Sequence, residues 1–175
     1  MQFLNETLAV ITAFQEQGGP VLILIGILLF AMWSLIFERI FYFARGLQGD
    51  LDDVINVWES RNERTSWNAR QIRRALISEA VIKINQNMAM IKTLVALAPL
   101  MGLLGTVTGM IEVFNIMAVT GGGDAKSMAG GVSRATIPTM AGMVAALSGV
   151  FAQAYLTRIV ERESALLEDH LTSDH

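Results

Sequence analysis

The chain of 175 residues has no cysteine, which excludes disulfides, thiol nucleophiles and thiolate metal sites. Its two histidines, His170 and His175, both sit in the C-terminal tail, where a solvated role is expected. No Ser-His pair, His-acid pair or metal cluster can therefore form in the interior, and neither an enzyme, a cofactor nor a metal site is expected. Charged residues make up only 17%, and the net charge of −3 points to no nucleic-acid partner. Met1 to Gly19 contains Glu6 and Glu16 but no lysine or arginine, so a cleaved secretory signal is not expected. The most informative absence is of charge along three stretches, residues 17–37, 93–111 and 135–157, each long enough to cross a hydrocarbon core of about 30 Å as a helix. With 53% hydrophobic residues, this predicts an all-α membrane protein with three transmembrane helices, the second and third extending into the cytoplasm.

The basic residues orient it. Arg39, Arg45, Arg61, Arg64, Arg70, Arg73, Arg74, Lys83 and Lys92 fall between the first two spans, and Arg158 and Arg162 follow the third, whereas only Lys126 and Arg134 belong to the other side. The N-terminus is thus expected outside and the C-terminus inside, as in a multi-pass protein of a bacterial inner membrane. As a single membrane domain the chain divides into a periplasmic surface helix (1–19), a first span (20–44), a cytoplasmic helical segment (45–90), a second span (91–118), a periplasmic loop (119–130), a third span (131–158) and a cytoplasmic tail (159–175). Leu4, Leu8, Ile11 and Phe14 share one face of the surface helix. Trp33, Phe37, Phe41, Tyr42 and Phe43, interleaved with Glu38 and Arg39, read as an interfacial belt that contacts membrane lipid.

In the cytoplasmic segment, Ile77, Val81, Ile84, Met88, Ile91 and Val95 recur at alternating steps of four and three without proline or glycine. One helix is predicted to carry this stripe unbroken into the second span, with Ile77, Val81, Ile84 and Met88 as an oligomer interface. Leu156, Val160, Leu167 and Leu171 can supply a facing stripe. Arg73 and Arg74 read as a solvated or headgroup-facing surface.

The second and third spans hold small residues at three- and four-residue steps: Gly102, Gly105 and Gly109 in one, Ala141, Ala145 and Gly149, or Gly142 and Ala146, in the other. Pro99 and Pro138 remove one donor each and are expected to kink their helices. Thr106, Thr108, Thr136, Thr139 and Ser148 can either line a hydrated passage or bond back to their own helices. No carboxylate or histidine lies inside the uncharged stretches 93–111 and 135–157, so a titrating group at that depth must come from another chain.

The run LAPLMGLLGTVTGM from Leu97 to Met110, the run GGVSRATIPTMAGMVAALSG from Gly130 to Gly149, and Phe37-Glu38-Arg39 resemble the signatures of the MotA/TolQ/ExbB proton-channel family, its ExbB branch above all. The resemblance covers nearly the whole chain. It implies a homo-oligomeric ring, usually a pentamer, around the membrane helices of an ExbD-like single-span partner whose aspartate carries the proton. Such a ring converts proton motive force into work on a TonB-like protein for outer-membrane transport. A TolQ-like subunit for envelope maintenance and a non-conducting scaffold are the alternatives. The family's pore threonines fall on Thr106 and Thr139, expected at similar depth, with Gly102, Gly109, Val113, Ala135, Gly142 and Ala146 lining the pore beside them. Where ExbB and TolQ commonly carry a glutamate near the start of the third span, this chain has Arg134, which stays protonated. Glu112 is expected to pair with it at the outer mouth, between helices or neighbouring subunits.

Overall fold

The computed structural model describes residues 2–61, 63, 66–120 and 125–171, with side chains from residue 19 onward except 120 and 125–128. The faces assigned to Leu4, Leu8, Ile11 and Phe14, most of the 119–130 connection with Lys126, and also Arg64 and His175 lie outside the described residues or side chains. In chain order the helices are α1 (Gln2–Phe41), a π-helical turn (Tyr42–Gly46), α2 (Leu47–Glu59), α3 (Trp67–Asn85), α4 (Met88–Thr120) and α5 (Ala125–His170). Among the described residues there is no strand, and three helical segments are long and apolar enough to cross a membrane.

Helix direction changes where the sequence allows it. Gly19, immediately before Pro20, takes φ 62° and ψ −167° inside α1, a conformation that costs glycine little. Pro99 and Pro138 lie inside α4 and α5, which continue through them.

The stripe from Ile77 to Val95 is not carried by one unbroken helix. Gln86 is extended (φ −53°, ψ 140°) and Asn87 is left-handed (φ 62°), so α3 stops at Asn85 and α4 starts at Met88. Asparagine tolerates that region better than most residues. The break is held from outside the helix: Asn87 Nδ2 donates to Glu38 Oε2 at 3.1 Å, and Arg39 Nη1 donates to the Lys83 carbonyl at 3.4 Å.

The chain folds as two units, one of residues 1–33 and 93–150, the other of residues 34–92 and 151–175. The second unit is built on α2, α3 and the end of α5. Ser66 caps α3 by accepting from the Ala69 amide at 3.1 Å. Trp58, Ala69, Ala80, Leu167 and Leu171 form its buried cluster, with Leu51, Val54, Leu76 and Ile77 packed against them. Ile84 and Met88 are buried inside the chain and Ile77 and Val81 partly so, which means the stripe expected at an oligomer interface packs largely within its own protomer. Leu156, Val160, Leu167 and Leu171 are buried as well. Each such side chain contributes about 1.5 to 3 kcal/mol.

Two arginines expected at the surface are structural. Arg39 is 1% exposed, its guanidinium 5.0 Å above the Tyr42 ring and 6.0 Å from Phe43, with Glu38 Oε2 3.6 Å from Nε. A charge so deeply buried needs these partners, and its nearest sequence signal was the Phe37-Glu38-Arg39 motif itself. Arg73 is not a solvated residue: Nη2 donates to the Glu168 carbonyl at 3.0 Å and Nε to the Leu171 carbonyl, capping the end of α5. No local pattern could have shown this, since the acceptors lie 95 and 98 residues away. Arg74, by contrast, is exposed as expected.

Candidate functional site

The two motif runs pack against each other in the first unit, α4 antiparallel to α5. Small residues set the approach. A Cβ on Gly142 would stand 2.6 Å from the Ala98 carbonyl oxygen and 3.0 Å from Gly102 Cα, and one on Gly102 would stand 3.0 Å from Thr139 Cα. Only hydrogen fits at these backbone crossings. Further along the same seam Gly105 meets Pro138, Gly109 meets Ala135, and Gly131 meets Val113. At its other end Ala98, Ala145 and Ala146 pack with Leu28 and Leu29 of α1.

Six of the eight residues expected around a pore therefore lie in this seam: Gly102, Gly109, Val113, Ala135, Gly142 and Ala146 close α4 onto α5 within the chain. The two threonines are partly exposed at its margin. Thr139 Oγ1 donates across the seam to the Gly102 carbonyl at 2.9 Å, whereas Thr106 Oγ1 donates to Leu103 of its own helix at 2.7 Å. Thr108, Thr136 and Ser148 likewise bond back, to Leu104 and Gly105, to Ser133 and to Ala145. At 100° per residue, Thr106 and Thr139 are each displaced about 60° in the same rotational sense from the seam's midline. For antiparallel helices this puts both on one edge. Their depths differ from the expected match: Thr139 is level with Gly102, so Thr106 stands one turn further along α4, ~6 Å.

Toward the other end of the seam, Glu112 and Arg134 line one groove of about 210 Å³ with Gly109, Val113, Ile116, Gly130 and Gly131. Both are exposed and no ion pair joins them within the chain. An apolar hollow of about 550 Å³ on the first unit is lined by Leu29, Trp33, Ile137, Met140, Ala141, Val144, Ala145 and Ser148. Among the described residues no group of His, Asp or Glu could hold a metal ion.

The sequence has counterparts among known proteins. A family model described as the MotA/TolQ/ExbB proton channel family matches residues 38–169. The chain belongs to the MotA/TolQ/ExbB proton channel family. It is 49% identical over 61 residues to an ExbB-like biopolymer transport protein of Synechocystis sp., covering 33% of this chain and 24% of that protein. With the biopolymer transport protein ExbB of Xanthomonas campestris pv. campestris it shares 32% identity over 96 residues, 55% of this chain and 38% of the relative. With ExbB of Helicobacter pylori it shares 35% over 77 residues, 44% of this chain and 53% of the relative. The matches thus span from about a quarter to about half the length of these curated relatives. As a MotA/TolQ/ExbB protein with three apolar helical segments, the chain is a multi-pass membrane protein of a transport family rather than of an enzyme family.

Proposed function

We propose that this chain is the ring-forming subunit of a bacterial inner-membrane proton channel, with its N-terminus periplasmic and C-terminus cytoplasmic. The ring, a pentamer, surrounds the spans of an ExbD-like partner and delivers work from the proton motive force to a TonB-like protein for active outer-membrane transport.

One observation carries the reading. The seam built by the two motif helices offers a polar edge, Thr106 and Thr139, on stretches with no acid, histidine, lysine or arginine between Lys92 and Glu112 or between Arg134 and Arg158. Hydroxyls can exchange hydrogen bonds with water or a carboxyl group but cannot hold a proton at neutral pH, so the proton carrier belongs to the enclosed partner. The names of the relatives, biopolymer transport proteins, support the transport role. The arginine-rich middle segment supports the orientation.

Proteoliposomes under an imposed proton gradient test it. Proton uptake should require both this chain and the partner, and the double variant Thr106→Leu with Thr139→Leu should abolish it while the complex still assembles. No uptake by the wild-type complex, or full uptake by the double variant, would remove the channel reading and leave a scaffold, and uptake by this chain alone would remove the partner as the proton carrier.

A further inference from the structure

Helices α2 and α3 carry opposite net charge. Helix α2 contains Asp50, Asp52, Asp53 and Glu59 and no basic residue. Helix α3 contains Arg70, Arg73, Arg74 and Lys83 against one acid, Glu79.

The faces toward one another are settled by the groove between them, lined by Leu51, Val54 and Val57 on α2 and by Leu76, Ala80 and Ile84 on α3. Turning away from it, Asp52, Asn56 and Glu59 follow one another at steps of four and three along the exposed back of α2. Arg70, Arg74 and Ser78, at steps of four, do the same on the back of α3. Among the described residues, Asp52 and Arg74 have no ion-pair partner.

We propose that these two backs are the two halves of a subunit contact, the acidic back of α2 on one copy lying against the basic back of α3 on the next. Their distinctness makes the contact head-to-tail, the kind that closes into a ring rather than a two-fold dimer. Register supports the match. Lys83 pairs with Asp50 at 3.7 Å, while Trp58 shares its buried cluster with Ala69, so α2 and α3 run antiparallel with Arg70 and Arg74 near the level of Asn56 and Glu59. Copies related by rotation about one axis meet at equal height, which sets Arg74 beside Asn56 and within side-chain reach of Asp52, and Arg70 beside Glu59. Arg74 also lies about 16 Å along α3 from its Asn85 end, which favours a protein partner over lipid headgroups. This inference rests on the ring proposed above and replaces the Ile77 to Met88 stripe as its cytoplasmic contact.

The cysteine-free chain makes the test direct. Asn56→Cys combined with Arg74→Cys, treated with a short bis-maleimide in the full-length protein, should give a ladder of cross-linked species up to the copy number that native mass spectrometry counts for the wild type. Each single-cysteine variant should give none. Arg74→Glu should lower the intact-ring fraction several-fold, and adding Asp52→Arg should restore it. An intact ring without a ladder, a dimer from either single variant, or a charge exchange that restores nothing would overturn the contact while leaving the ring standing. A wild-type chain found only as a monomer would overturn both.

Discussion

Thr139 Oγ1 donates to the carbonyl of Gly102 at 2.9 Å, and the absence of a side chain on Gly102 is what lets Thr139 come that close. The Thr139 hydroxyl is therefore one of the fasteners of the motif seam. Any process that wets this edge must compete with a hydrogen bond that holds α4 to α5.

Substitutions along the seam should rank by what the new atoms meet. Gly142→Ala places its methyl carbon 2.6 Å from a backbone oxygen and should cost about 1 to 3 kcal/mol. Gly26→Ala, with nothing within 4 Å, should be neutral or stabilising by up to about 1 kcal/mol. Thr139→Val keeps the shape but loses the donor, for roughly 0.5 to 1.5 kcal/mol. Reversible unfolding in mixed micelles measures all three; equal stability of Gly142→Ala and Gly26→Ala would refute the close crossing.

At the break between α3 and α4, Asn87→Gly should be tolerated. Asn87→Val should lower stability by about 1 to 2 kcal/mol, because a β-branched residue resists a φ of 62°. A thermal midpoint in detergent that is the same for both variants would mean that the left-handed residue does not define the break.

Removing the guanidinium of Arg73 should fray the end of α5. Arg73→Ala should speed amide exchange across residues 165–171 roughly tenfold or more, since hydrogen bonds to a charged donor contribute about 1.5 to 3 kcal/mol. Arg74→Ala should leave exchange there unchanged. Equal exchange in both variants would rule out Arg73 as the cap.

Glu112 and Arg134 share a groove without meeting, so we expect their partners on neighbouring subunits. Arg134→Glu should impair proton-coupled transport, and exchange with Glu112→Arg should recover part of it, as a pair restored across an interface does. Harmless single reversals would show that each charge simply faces water or headgroups.

The three apolar segments, their helical state and the small-residue faces followed from the sequence, because an uncharged run of that length has few other ways to satisfy its backbone in lipid. The motif residues identified the family for the same local reason, being contiguous in the chain. What the tertiary structure decided was which partner each face met. Glycines and alanines that could equally line a pore or pack a seam were found packing one, since periodicity gives a face but not its occupant. Residues 77–95 read as one helix because nothing in the run breaks one by propensity; Glu38, 49 residues earlier, accepts from the side chain of the left-handed Asn87, and Arg39 donates to the Lys83 carbonyl near the end of α3. Arg73 reads as solvent-facing beside Arg74 until the distant end of α5 brings it carbonyls to cap. A hydrogen bond across such separations depends on where the fold returns the chain, and neighbours in sequence carry no record of that.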